Sequence, residues 1–300
     1  MHIYDMIIVG GGPAGYTAAL YGSRSGLDVL VLEKLGAGGQ MALTSQIDNY
    51  PGFADGVDGF TLGADMRRGA ERFGAKTRFA EVKALILEAQ PKQVQLENET
   101  LYAKTVILAT GASARRLGLP EEEALIGAGI SYCAHCDGML YRGRTVAVVG
   151  GGNTAAAAAL TLSRYCKKVY LIHRRDSLRA SKVYHAQLEK AENIAFYWNS
   201  TITGLESDGF LKGLWLNGQQ LLEVDGLFVS IGQTPNTALV KGQLDLDENG
   251  YVIAGETTAT NIAGVFAAGD LRTTPLRQII TAAADGAIAA HMAEEYIAQS

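Results

Sequence analysis

Six short, mostly apolar runs punctuate the chain: Met6–Val9, Val29–Leu32, Val106–Ala109, Val146–Val149, Val169–Ile172 and Leu227–Ile231. Runs this short, with no polar alternation, read as buried strands. Between and after them lie stretches with the pattern of helices, Pro13–Arg24, Thr154–Tyr165 and Thr281–Ile297. Strands alternating with helices predict an α/β fold with parallel sheets and helical crossovers.

One internal echo organises the chain. Ile7-Ile8-Val9-Gly10-Gly11-Gly12-Pro13-Ala14-Gly15 reappears as Val146-Ala147-Val148-Val149-Gly150-Gly151-Gly152-Asn153-Thr154-Ala155. Each copy is a strand, a glycine turn and a helix start, so the chain holds two units of one kind. No low-complexity tract or long linker separates them.

Composition adds limits. Of 300 residues, 48% are hydrophobic and 19% charged, enough for a sizeable core and a two-domain chain. The 36 glycines exceed average usage without a collagen period, which points to tight turns and close backbone–ligand approaches. A formal charge of −5 gives no basic footprint for nucleic acid or an anionic membrane. No apolar run is long enough to span a bilayer, and the start lacks the basic and cleavage regions of a signal peptide. Three cysteines are too few for a secreted disulfide framework. These features predict a soluble, cytoplasmic protein.

In Gly10-x-Gly12-x-x-Gly15 the first glycine allows the tight turn, the second lets a pyrophosphate approach the backbone, and the third lets helix and strand pack closely. The helix N-terminus beyond Pro13 and Ala14 offers free N–H groups and a partial positive charge. Glu33 ends the next strand, where an acid binds a ribose hydroxyl. The second turn, Gly150-x-Gly152-Asn153-Thr154-Ala155, differs there: its next strand ends in His173-Arg174-Arg175, with Arg179 four residues further. A carboxylate at that place would repel a 2′-phosphate, whereas arginines pair with it. The second site is therefore expected to take NADP(H) rather than NAD(H).

Cys133-Ala134-His135-Cys136-Asp137 is a C-x-x-C. Zinc needs four ligands, and there is no second C-x-x-C, so no metal is expected. A structural disulfide closing so short a loop would remove little chain entropy and would be unusual in the cytosol. The reading that remains is a redox dithiol. Asp137 is placed to give or take the proton of thiol chemistry; His135 either stabilises a thiolate or is a spacer. Cys166, assigned to the helix after the second glycine turn, reads as a small core residue. A flavin-type nucleotide site, an NADP(H) site and a redox dithiol together make an electron chain from a hydride donor through a flavin to a disulfide.

From end to end the chain resembles the low-molecular-weight thioredoxin reductases. The stretches that carry the resemblance are Gly10–Gly15, Gly39-Gln40, Asp48–Gly52, Ala109–Ala112, Cys133–Gly138, Gly150–Ala155, His173–Asp176, Ile231–Thr237, Gly264–Asp270 and Arg277-Gln278. The resemblance implies two Rossmann-like nucleotide-binding domains, the NADPH domain inserted into the FAD domain. The FAD domain would comprise residues 1–113 and 241–300, and the NADPH domain residues 114–240. It implies FAD held by Gly10, Gly12, Pro13, Ala14, Gly15, Glu33, Gly39, Gln40, Asn49, Thr110, Gly111, Gly269, Asp270, Arg277 and Gln278. NADPH would be held by Gly150, Gly152, Asn153, Thr154, Ala155, His173, Arg174, Arg175 and Arg179. It further implies Cys136 toward the flavin, Cys133 as the attacking thiol with Asp137 as acid, thioredoxin as partner, a homodimer, and a rotation of the inserted domain.

Three positions depart from that family. An acidic pair common after the second glycine motif is replaced by Ala155–Ala159, an aromatic pair after Cys-Asp-Gly by Met139-Leu140, and an arginine upstream of the cysteines by Ala128. The departures bear on nicotinamide placement and on docking of the protein partner. The alternatives are a related reductase with another acceptor or donor, linked to a peroxiredoxin or fed by ferredoxin, and a flavin dithiol oxidase; the latter would not need His173-Arg174-Arg175.

Overall fold

The computed structural model describes every residue except Ser45 and Ser300, and the side chains of all others but Leu43. Its described α-helices are α1 (Pro13–Arg24), α2 (Gly59–Glu71), α3 (Ala134–Asp137), α4 (Asn153–Ser163), α5 (Lys182–Lys190) and α6 (Ile279–Gln299). The chain divides into two compact units. The first joins Met1–Ser113 to Thr234–Ser300, and the second is the intervening Ala114–Gln233.

In the first unit, Lys76–Phe79, Val29–Glu33, Ile3–Val9 and Thr100–Leu108 pair side by side in parallel, and Val265–Ala267 adds to Thr100–Leu108. Ile7 stands opposite both Leu30 and Val106. Alternate residues of these strands serve opposite cores, which is why the runs are apolar throughout. Met6, Ile8, Val29, Val31 and Ile107 pack with Ala14, Ala18 and Ala289 of α1 and α6. Ile7, Val9, Leu30, Leu32 and Val106 face Val240, Leu244 and Val252 on the other side. Truncating the fully buried Ile8 to Ala would cost about 2–5 kcal/mol. α1 begins with Pro at its first position, where a missing N–H costs nothing. It lies close against α6: a Cβ on Gly286 would sit 2.1 Å from the Ala14 carbonyl oxygen. Antiparallel strands Ala84–Ile86 and Lys92–Gln95 extend the sheet beyond Thr100–Leu108.

The second unit repeats the plan. Ile194–Tyr197, Lys168–Ile172, Thr145–Val149, Gly226–Val229 and Ile130–Ser131 form a parallel sheet in that order. An antiparallel meander, Ile202–Ser207, Leu211–Leu216 and Gln220–Glu223, packs through Leu214 and Leu216 into a core shared with Ala147, Val149 and Leu227.

The structure corrects three sequence expectations. Strand–helix alternation did not anticipate the antiparallel segments, whose residues are half exposed and more polar. α4 begins at Asn153 and ends at Ser163, so Cys166 lies beyond it, buried in the core with Phe228 and Val169. The second crossing between units falls at 233/234 rather than 240. Asn236 explains this: its side chain accepts from Ser113 and donates to the Thr110 carbonyl, and Val240 packs with the first unit's core.

Candidate functional site

The Cys133–Cys136 segment follows the edge strand Ile130–Ser131 of the second unit. Cys133 is the N-cap of the one-turn helix α3, and its Sγ accepts the Cys136 N–H at 3.2 Å. The two cysteines form a disulfide with Cα atoms 5.3 Å apart, and both are partly exposed. Ser131 links the pair to Asp137: its Oγ accepts the Cys133 N–H at 3.1 Å and donates to Asp137 Oδ2 at 2.7 Å. Burial pushes the Asp137 carboxyl up, and the Ser131 hydrogen bond partly offsets this. A partly buried acid with a raised pKa beside a dithiol can hold and pass a proton. His135 points to solvent, as do the half-exposed Met139 and Leu140. Cys166 differs: it is buried, donates to the Tyr141 carbonyl at 3.3 Å, and its thiol is pushed up to about 11.

In the first unit the glycine turn joins the strand Ile3–Val9 to α1. Gly10 has φ +110°, and a Cβ there would sit 2.3 Å from the Ala109 carbonyl oxygen. A Cβ on Gly15 would lie 1.9 Å from the Gly10 oxygen, so only glycine lets helix and turn meet. Gly12, by contrast, faces open space within 4 Å and caps α1 without any side-chain hydrogen bond. That combination is an open cradle of backbone donors at a helix N-terminus.

Other predicted residues gather at this cradle. Glu33 holds the turn by accepting the N–H groups of Gly11 at 2.6 Å and Leu35 at 3.0 Å. Gly39, at the start of a 3₁₀ turn with exposed Gln40, lies against Gly12, and Gly269 against Ala14. Thr110 and Gly111 follow the neighbouring strand and bind Asn236. Asn49 donates to Gln278 at 2.9 Å. Arg277 stacks 4.0 Å over the Tyr251 ring and leaves its buried Nε without a partner. The Asp270 side chain makes no hydrogen bond among the described residues. Its carboxyl is pushed up to about 6 by burial, a shift that Arg277 opposes and Asp285 reinforces.

An open cradle, an unpartnered half-buried carboxyl and an orphaned guanidinium nitrogen fit a bound dinucleotide carrying phosphates and hydroxyls. Two partners lay beyond the sequence reading. Asp285 of α6 and Arg272 form a buried pair beside Asp270. The only signal available for Asp285 was an acid inside the otherwise apolar Ala282–Ala290 stretch.

The second glycine turn has the same shape and the opposite charge. Gly152 is again open and caps α4 without a side chain, and Ala155 is fully buried beneath it. Asn153 Oδ1 accepts the Ser181 N–H at 2.8 Å, and Thr154 is exposed on the first turn. His173 takes the seat that Glu33 has in the first unit: its buried ring covers Gly151, leaving no room there for a Cβ. Desolvation and the neighbouring Arg179, Arg175 and Arg174 push its pKa down. The Arg179 N–H binds the Gly151 carbonyl at 2.7 Å, which ties its loop to the turn. Arg174, Arg175 and Arg179 are exposed and form no ion pair among the described residues. Three unpaired guanidiniums beside an open helix N-terminus fit an additional phosphate. Ala155–Ala159 lie largely in the core, so the alanine run packs α4.

No group of three or more His, Cys, Asp or Glu among the described residues could hold a metal ion. No described helix is long and apolar enough to cross a membrane.

Two glycine-turn units, one bearing a partly exposed C-x-x-C disulfide, define a nucleotide-dependent disulfide oxidoreductase. The chain belongs to the pyridine nucleotide-disulphide oxidoreductase family, whose pattern it matches over residues 4–286. It is 46% identical over 303 residues to a thioredoxin reductase of Mycolicibacterium smegmatis, covering 99% of this chain and 97% of that one. It is 43% identical over 304 residues to a bifunctional thioredoxin reductase/thioredoxin of Mycobacterium leprae, covering 99% of this chain and 66% of the longer relative. The crystal structure of thioredoxin reductase from Streptococcus pyogenes superposes with a TM-score of 0.91 at 38% identity, covering 99% of both chains.

Proposed function

We propose that this enzyme is an NADPH-dependent thioredoxin reductase that works through FAD and the Cys133–Cys136 pair. The first unit holds FAD at the Gly10–Gly15 cradle with Glu33, Asp270 and Arg277. The second holds NADPH at Gly150–Ala155, with Arg174, Arg175 and Arg179 on the 2′-phosphate. FAD supplies the two-electron carrier that side chains lack, linking a hydride donor to a disulfide.

The chain's own steps balance as follows. Two electrons and two protons open the Cys133–Cys136 disulfide to a dithiol. The Cys133 thiolate attacks one sulfur of the partner's disulfide, forming a mixed disulfide and releasing one partner thiol. Cys136 then attacks Cys133 Sγ, which restores the internal disulfide and releases the second partner thiol. Asp137, held by Ser131, keeps a proton at hand for the leaving thiolate. A relative that carries both reductase and thioredoxin in its name supports thioredoxin as that partner. The reading includes a cytoplasmic homodimer, as the family resemblance implies.

The observation that carries the proposal is a partly exposed disulfide in the same unit as a glycine turn rimmed by three unpaired arginines. Anaerobic stopped-flow mixing of the flavin-loaded protein with NADPH and then NADH tests it. Fast bleaching of the flavin band by NADPH, and much slower bleaching by NADH, is expected. Bleaching by neither ends the reading. Cys136→Ser should keep that bleaching and lose disulfide turnover; retained turnover would remove the dithiol from the mechanism.

A further inference from the structure

Asp285 is the most deeply buried acid of the first unit and lies on α6, away from the glycine turn in sequence. Both of its oxygens are engaged. Arg272 donates Nε to Oδ2 at 2.7 Å and Nη2 to Oδ1 at 2.6 Å, and the Gly269 N–H donates to Oδ2 at 3.0 Å. Arg272 spends its remaining nitrogen on backbone carbonyls, with Nη1 on Ala254 at 3.1 Å and on Thr273 at 3.0 Å.

One carboxylate therefore clasps both ends of the one-turn 3₁₀ segment Gly269–Leu271, the first through Gly269 and the last through Arg272. Between those ends stands Asp270, whose side chain has no hydrogen-bond partner among the described residues. A buried ion pair of this kind adds little net stability, because desolving two charges offsets their attraction. An apolar pair of similar volume would hold α6 as well. What an apolar pair cannot do is accept the Gly269 N–H and fix the direction of the turn.

We infer that Asp285 and Arg272 are positioning residues that aim the Asp270 carboxyl at a hydroxyl of the bound FAD. This rests on the proposed FAD site in the first unit.

A double-mutant cycle on the full-length protein tests it, with FAD affinity read from flavin fluorescence on dilution of the reconstituted protein and thermal stability read on the cofactor-free protein. Asp285→Asn and Asp270→Ala should each weaken FAD by about ten- to a hundredfold, the range for one charge-assisted hydrogen bond. Together they should weaken it no more than Asp270→Ala alone, because Asp285 acts through Asp270. The double variant Arg272→Met with Asp285→Leu should melt near the wild type yet bind FAD as weakly as Asp285→Asn. Additive losses in the cycle, or an apolar pair with wild-type FAD affinity, overturn the positioning role. Should the apolar pair fail to fold, the cycle alone decides. Wild-type protein that takes up no FAD would instead overturn the functional reading, and the positioning role with it.

Discussion

Gly12→Ala separates what the fold needs from what the ligand needs. Gly12 has φ −81° and ψ −172°, a conformation open to any residue, and nothing lies within 4 Å of its missing Cβ. Alanine there should stabilise the cofactor-free protein by about 0.4–1 kcal/mol, by restricting the unfolded chain. That raises the melting temperature by roughly 1–2 °C for a protein of this size. The same methyl group would stand in the cradle where a pyrophosphate must approach the α1 N–H groups. Losing one charge-assisted hydrogen bond of about 1.5–3 kcal/mol weakens FAD roughly ten- to more than a hundredfold. Gly15→Ala is the control. Its Cβ would lie 1.9 Å from a backbone oxygen, so the helix must shift at a cost of about 1–3 kcal/mol or more. FAD would be lost there through damage to the fold. The assay pairs cofactor-free melts with FAD titration by fluorescence quenching, since bound FAD would itself raise the melting point. Wild-type FAD affinity in Gly12→Ala would refute the cradle.

Three further outcomes are expected. Replacing Arg174 and Arg175 together by Ala should weaken NADPH at least about tenfold, in a manner that fades at high salt, while NADH changes little; equal losses in equilibrium dialysis would contradict the 2′-phosphate assignment. The Asp270 carboxyl, raised from 3.8 to about 6, favours the folded state fully only below about pH 4 and withdraws that contribution as the pH climbs through 6. Cofactor-free Asp270→Asn should therefore match the wild type below pH 4 and exceed it by up to about 3 kcal/mol above pH 6, in urea melts across that window; a pH-independent difference rules this out. Reduced native protein should show two reactive thiols, with the buried Cys166 joining only after unfolding. A third fast thiol in the folded state would place Cys166 at the surface.

Features fixed by neighbours in sequence were legible in advance. Each glycine turn lies within a few residues of its strand and helix, and its geometry follows from local sterics. The C-x-x-C spacing likewise allows a disulfide without knowledge of the fold. What stayed hidden depends on distant partners. Asp285 and Arg272 meet across a helix and a turn, and the lone acid in an apolar stretch does not name its partner. Ser131 reads as a strand residue until Asp137 folds back beside it. The meander around Leu211–Leu216 alternates weakly, because its pairing register shifts between Leu211 and Gly213, so that Lys212 and Trp215 are both exposed although three positions apart. Asn236 escaped for a related reason: its assignment to the first unit rests on hydrogen bonds to residues more than a hundred positions earlier.

The close seat of α6 on α1 also sets an order of events during synthesis. Ala14 and Ala18 leave the ribosome early, but Ala282, Gly286 and Ala289 that cover them come from the far end of the chain. At about 5–20 residues per second, the gap is on the order of tens of seconds. The nested unit has its own cores and is fully translated well before α6 emerges. The guest can thus mature while its host still shows a bare apolar sheet face. During that interval the nascent host is a natural client for a chaperone, and a ribosome stalled before Ile279 would hold a finished second unit on an unfinished first.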